Sequence, residues 1–353
     1  MKNIIKTLVV MLSSVSLFAS ANAGELGVSG TAKATYNILS GKTNVGKGLG
    51  ITNELNFTAS GELDNGYTWS YSMELDPTDA SAGGTATNDD TKLTLTTPYG
   101  TFGAFVLEGG LDLEDGASQS VYSRPTDMGD PSATVDNFTI DSYNNIQYHT
   151  PADMLPFGIT AKVAYATDLD GTNNSGNGAG ATTTQAIEGA GESATEYQIK
   201  AAPIDGLSIG ASYMTFDNEG QATKQQEAES GSYMATYTTG PIALGYSKGF
   251  RANLIGSTVA ANITETVEHY DQTNMSIAYA ISDDISVSYE KETSEANYVL
   301  NTTADVEQES TAFQLAYTMG GMTVAVSHGS HDNVGYSDAE NQDQTLFALT
   351  MAF

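Results

Sequence analysis

The sequence predicts an all-β protein, a transmembrane antiparallel barrel of sixteen strands. Three observations carry that expectation. Apolar and polar side chains alternate with a period of two through most of the 353 residues. The connections between alternating runs are long and polar, then short with Gly, Pro or Asp, in strict turn. The chain also ends on such a run, Gln344 to Phe353, in which Thr345, Phe347, Leu349, Met351 and Phe353 share one face. In a soluble protein that ending would be an exposed, aggregation-prone sheet edge. It makes sense as the strand that closes a barrel against the first one and turns its apolar face to lipid.

The elements follow in order. Residues 1–23 read as an export signal: Lys2 and Lys6, an apolar run from Thr7 to Phe18, and the small-x-small site Ala21-Asn22-Ala23. That run is too short to span a membrane as a helix, and no later segment approaches the roughly 20 apolar residues required. The domain expected after it covers residues 24–353. Leu26, Val28, Gly30, Ala32, Ala34, Tyr36 and Ile38 line one face of the first strand. Leu49, Ile51, Leu55, Phe57 and Ala59 mark the second, and Asp64-Asn65-Gly66 is a tight-turn signal. Tyr67 to Leu75 is the third strand, Leu93 and Leu95 mark the fourth, and Pro98-Tyr99-Gly100 turns into the fifth.

A long acidic connection, Glu108 to Asp141, precedes the sixth strand at Ile146 and Tyr148. The seventh carries Ile159 to Tyr165, and Gly171 to Gly191 reads as a solvated low-complexity loop. Strands eight to fifteen then come as four pairs around Pro203–Gly206, Gly240-Pro241, Ser282–Asp284 and Gly320-Gly321. Tyrosines fall in two sets. Tyr148, Tyr237, Tyr279 and Tyr317 lie near the short turns, whereas Tyr36, Tyr165, Tyr213, Tyr246 and Tyr289 lie toward the long loops, as two interfacial girdles require. A soluble β-sandwich would also alternate, but its connections need not alternate in length. Sixteen strands leave an aqueous channel rather than a filled interior.

Composition narrows the function. The chain has 43 acidic and 13 basic residues, a formal net charge of −30, and loss of Lys2 and Lys6 with the signal makes it more negative by two. Phosphate backbones repel such a chain, so nucleic acid is excluded as a partner. The absence of cysteine removes disulfides and thiolate chemistry. His149, His269, His328 and His331 show no metal spacing, and no metal site is expected. Loop carboxylates could hold Ca²⁺ through oxygen ligands, although no EF-hand spacing is present. No Gly-x-Ser-x-Gly or comparable constellation appears, so no enzyme and no cofactor are expected.

Tyr99-Gly100-Thr101-Phe102-Gly103, Asn145-Ile146-Gln147-Tyr148-His149-Thr150-Pro151 and the terminal Phe353, in this order and spacing, resemble the sixteen-stranded general diffusion porins of Gram-negative outer membranes, alphaproteobacterial type. The resemblance implies a homotrimer in outer-membrane lipid, with short periplasmic turns, long extracellular loops and a third loop folded into the lumen. It implies passive diffusion of small hydrophilic solutes and ions, and a terminal aromatic read by the barrel-insertion machinery. The alternatives are a substrate-selective channel, a surface adhesin or an outer-membrane barrel hydrolase.

The third loop holds Glu108, Asp112, Glu114, Asp115, Asp127, Asp130, Asp136 and Asp141 against Arg124 alone. Folded inward, it would place Asp112, Glu114, Asp115, Arg124, Asp127 and Asp130 at the constriction, opposite Lys33, Glu54, Glu74 and Lys92 at lumenal parity, and the pore would prefer cations. The family's arginine cluster on strands two to four is replaced here by Glu54, Glu74 and Lys92. Gly30, Ala32, Ala34 and Asn53, small or polar on the outward face of strands one and two, are the expected trimer contact.

Overall fold

A computed structural model describes residues 26–42, 44–77, 86–129, 134–167, 169, 193–217, 224–256, 266–300 and 303–353. The export signal expected at 1–23, Asp130 and the low-complexity loop at 171–191 lie outside the described residues.

Sixteen antiparallel strands close into a barrel. They are β1 (Leu26–Gly41), β2 (Gly46–Glu62), β3 (Thr68–Pro77), β4 (Ala86–Thr97), β5 (Gly100–Val106), β6 (Asn145–His149), β7 (Thr160–Ala166), β8 (Ser193–Ile204), β9 (Leu207–Asp217), β10 (Glu229–Thr239), β11 (Ile242–Ala252), β12 (Val267–Ala280), β13 (Ile285–Tyr298), β14 (Val306–Met319), β15 (Met322–Asp332) and β16 (Gln342–Ala352). Every strand pairs with its sequence neighbours. Lys224–Gln226 and Ile255–Gly256 form a separate two-stranded ribbon among the long connections.

The seam between β1 and β16 is set by the last residue. Register partners Tyr36–Phe347, Ala34–Leu349 and Ala32–Met351 continue the outward apolar face across the closure. Phe353 lies just past β16, donates its N–H to the Gly30 carbonyl (3.0 Å) and accepts from the Gly30 N–H (2.8 Å). Its ring covers Gly30, where an added Cβ would stand 2.9 Å from the ring carbons. Gly30 is therefore less a small outward residue than a socket for the terminal ring.

Faces separate as the alternation requires. Tyr233, Ile277, Tyr289, Phe313, Leu315 and Phe347 are exposed outward, whereas Gln198, Ser247, Glu290, Gln314, Ser327 and Gln344 are buried toward the interior. Burial of so many polar lumenal side chains means that something covers them from inside.

Candidate functional site

That cover is the connection between β5 and β6. It leaves the wall at Leu107, whose φ of 54° lies in the left-handed region, and at Gly109, with φ of 86°. These two residues turn the chain into the lumen. Its outgoing arm then follows the inner wall as a belt from β8 to β16. In strand order, the Leu111 N–H donates to Glu196 (3.1 Å) and Gln198 donates to the Leu111 carbonyl (2.7 Å). Next, the Leu113 N–H donates to Ser232 and Ser212 (3.0 and 3.2 Å). Ser247 reaches the Glu114 carbonyl, and Ser276 the Ala117 carbonyl at 3.1 Å. The Val121 N–H donates to Ser288 (3.0 Å) and the Tyr122 N–H to Gln314 (3.0 Å), and Gln344 caps the Met128 carbonyl. An irregular backbone inside a protein needs a partner for each amide, and the wall supplies them.

Three wall carboxylates act as clasps. Glu196 accepts from the Leu111 N–H of the outgoing arm and the Ile140 N–H (2.9 Å) of the returning one. Glu290 accepts from Ser118 (2.7 Å) and Ser120, and Glu292 from the Thr126 N–H and hydroxyl and from Asn274. At β11, Gly245 lets the belt touch the wall, because a Cβ there would fall 1.7 Å from the Ala117 carbonyl oxygen. Behind the root of the loop, Leu111, Phe138, Ile140 and Tyr143 pack with lumenal Ala164, Ala166, Met214 and Phe216 into an apolar core. This apolar core interrupts the polar inner face that the alternation predicts. Met214 and Phe216 at lumenal parity on β9 were the available signal for that core, and Glu196, Glu290 and Glu292 were the signal for the clasps.

The belt leaves β1 to β4 uncovered, whereas lumenal Phe105 of β5 is buried under the root of the loop, so the open passage lies between the belt and the β1 to β4 wall. An open space of about 510 Å³ beside the root is lined by Asp90, Glu108, Asp112, Glu114, Asp115, Asp136 and Asp141. The anticipated constriction residues divide into three groups. Asp112 accepts from Ser212, Ser232 and Asn137 and borders the space. Glu114 is turned into the protein, only 7% exposed. Burial first, then Asp115 and Asp112, holds its carboxyl well above the usual range. Asp115 is half exposed, yet burial raises it to about 7; Arg124 works against the rise, whereas Asp136, Glu292 and Asp112 add to it. Arg124 binds Asp115, Asp127 (2.9 Å) and Glu292 (3.3 Å), joining the belt to its own acids and to β13.

The opposite wall contributes less than one loop-facing cluster. Lys92 pairs with Glu108 (2.8 Å) at the root of the loop. The Lys33 ammonium stands 5.9 Å from the Tyr122 ring centre, a cation–π contact between β1 and the belt. Glu54 accepts from Thr31 at 3.4 Å, and Glu74 shares the lumenal face of Asn56. The structure thus gathers Asp112, Glu114, Asp115, Arg124 and Asp127 in one loop, and leaves Lys33, Glu54 and Glu74 across the passage.

Residues 7–353 match the protein family described as Gram-negative porin. Comparison with curated proteins gives no match. Among solved structures the fold is similar to OmpT, an outer membrane protein of Vibrio cholerae in its trimer form, with a TM-score of 0.62, 13% identity and 94% of this chain on 100% of that one. It is similar to a mutant of the Rh. blastica porin, with a TM-score of 0.59, 14% identity and 93% on 100%. The anion-selective porin from Comamonas acidovorans gives 0.63, 11% identity and 94% on 100%.

Proposed function

The chain belongs to the Gram-negative porin family, and on that premise we propose a trimeric, cation-preferring diffusion channel for small hydrophilic solutes in the outer membrane. Its short turns face the periplasm, its long loops face outside, and residues 1–23 are the export signal removed on the way. The observation that carries the ion preference is the carboxylate-lined space beside the belt. One carboxylate about 4 Å from a passing cation at an effective dielectric of ~20 contributes several kcal/mol before desolvation and screening. Charges beyond about 8 Å are screened at ordinary salt, so the distant rim acids count little.

The fold does not fix the sign, since a similar barrel from Comamonas acidovorans is described as anion-selective. The sign is read from this chain's own loop. Lys92 is committed to Glu108 and Arg124 to three carboxylates. The charge left open to solutes is that of Asp112, Asp136 and Asp141. Diffusion is preferred over dedicated sugar selectivity because the aromatic residues on β9 to β16 lie mostly on the outward face.

Reversal potential in a planar bilayer under a KCl gradient tests the reading. The expected sign is cationic, with a preference that weakens as salt rises. Changing Asp112, Asp136 and Asp141 together to Asn should reduce it, while Asn at Asp332 and Asp338 on the rim should leave it unchanged. An anionic sign, or indifference of the triple variant, would refute the assignment.

A further inference from the structure

On the short-turn side of the belt the lumenal charge changes sign. Lys162 of β7 stands directly across from Gln198 of β8, and Lys200 lies two residues farther along the same lumenal face. Diagonal neighbours of this kind are about 7–8 Å apart at the backbone, within reach of each other's long side chains. Gln198 holds the belt through the Leu111 carbonyl. Lys200 is thus one lumenal step, about 7 Å, from that attachment toward the short turn at Asp205 and Gly206. Its stem crosses lumenal Gly210, where an added Cβ would meet Lys200 Cγ at 3.2 Å and Leu113 Cδ1 at 2.7 Å. The stem of the lysine and the Leu113 side chain of the belt thus flank the same glycine. His149, the cross-strand partner of Lys162, keeps its Nε2 on Gln147 (2.7 Å).

Among the described residues the ion pairs belong to Lys92, Arg124, His269 and Lys291, and none includes Lys162 or Lys200. In a chain with 43 carboxylates and 13 basic residues, two neighbouring lysines that share no carboxylate are conspicuous. Each ammonium repels the other, and an anion between them adds two shorter-range attractions that outweigh the repulsion.

We propose that Lys162 and Lys200 form an anion-binding step beneath the pore loop, for small oxyanions carrying two charges, such as inorganic phosphate. This rests on the channel reading above. A solute entering from the long-loop side meets the carboxylates of the belt first. One entering from the short-turn side meets the lysines without passing them. The site therefore acts from one side.

The test uses the full protein in a planar bilayer with equal KCl in both chambers and inorganic phosphate titrated into one chamber at a time. The short-turn chamber is identified through an Asp205→Cys variant and a bulky impermeant maleimide. Phosphate from that side should lower the current with saturation, and from the other side roughly tenfold less effectively. Lys162→Gln with Lys200→Gln should conduct KCl but require about tenfold more phosphate for half-block, and Lys162→Arg with Lys200→Arg should retain the block. A conducting wild type indifferent to phosphate, equal block from both sides, or unchanged block in the Gln variant overturns the site alone. A chain that passes no KCl current overturns the channel reading itself.

Discussion

Along β1 to β4 the lumenal positions carry Thr31, Lys33, Thr35, Asn37, Thr52, Glu54, Asn56, Thr58, Ser70, Ser72, Lys92 and Thr94, and the wall is bare. Along β9 to β15 they carry Gly210, Ser212, Ser232, Gly245, Ser247, Gly249, Ser276 and Gly329, interleaved with long acceptors and donors such as Glu290, Glu292 and Gln314, and the wall is covered. Both halves are polar and both carry small lumenal residues, Gly48, Gly50 and Ser70 in the near half among them, so neither polarity nor size alone decides where the loop sits. The partners do. Backbone can approach backbone only where side chains are absent or short, and the longer residues between those gaps supply partners for the loop's amides. The far half is a track and the near half is a passage wall.

The two halves meet at the seam, and breaking it should have the largest effect. Phe353 completes the pairing with Gly30 through two backbone hydrogen bonds and a ring laid over the glycine. Deleting Phe353 should remove most of the protein from the outer membrane while export across the inner membrane continues. Fractionation followed by immunoblotting reads the outcome, and normal outer-membrane levels would argue that the seam closes without it.

The track itself is tested at Gly245. A side chain there cannot coexist with the Ala117 carbonyl in its present place. Gly245→Val should push the belt toward the bare wall, at a cost of about 1–3 kcal/mol typical of overpacking, and lower single-channel conductance. Thr94→Val, on the bare wall, should leave conductance near the parent value. Equal effects of the two substitutions would dissolve the distinction between track and passage.

How much of this was legible follows from the period of two. Alternation assigns a face to every strand residue, and the sixteen strands and their order lie where the sequence puts them. The path of the loop was not legible, because parity says which side chains point inward and not what lies against them. Gly210, Gly245 and Gly249 read as ordinary strand glycines until a carbonyl, a Leu or a Glu is seen in their place. The candidate site was half legible for the same reason. Asp112 and Arg124 were named from the acid-rich run, but Glu114 turns into the protein, and nothing local in the sequence distinguishes it from Asp112 two residues earlier.

Acidification should separate the halves more gently. Burial raises Asp115 to about 7 and moves Asp136 and Asp141 in the same direction, with Glu114 well above its ordinary value. A carboxyl with a raised pKa loses its charge early as pH falls, so the cation preference should decline as Asp136 and Asp141 take up protons above the ordinary carboxylate range. The linkage sign is opposite to that of a salt-bridged acid. Between the ordinary and the raised pKa the folded chain binds more protons than the unfolded one, so stability of the seated belt rises as pH drops through that window. Reversal potentials at pH 8, 6 and 5 should therefore shrink toward zero without release of the loop. A preference constant over that range would mean that passing ions do not sense these acids.

The smallest expected effect concerns the outside of the bare half. With no belt behind it, that wall is one sheet thick, and its outward residues on β1 and β2 include Ala32, Ala34 and Asn53 between larger neighbours. Elsewhere the outward face carries Phe313, Leu315, Tyr317, Phe347 and Leu349, side chains suited to lipid. Small residues and an amide are better matched to a second protein wall than to acyl chains, because close approach restores packing and the amide can find a partner. A neighbouring copy would then support from outside the half that the loop does not support from within. Ala32→Cys should yield disulfide-linked or bifunctionally crosslinked oligomers in mild detergent, since the chain has no other cysteine. Cysteine at Phe313, on the far half, should not. Ala32→Leu should weaken the oligomer by about 1–3 kcal/mol through overpacking while leaving the single-barrel conductance unchanged. Crosslinking from Phe313 but not from Ala32 would place the contact on the covered half and reverse the argument.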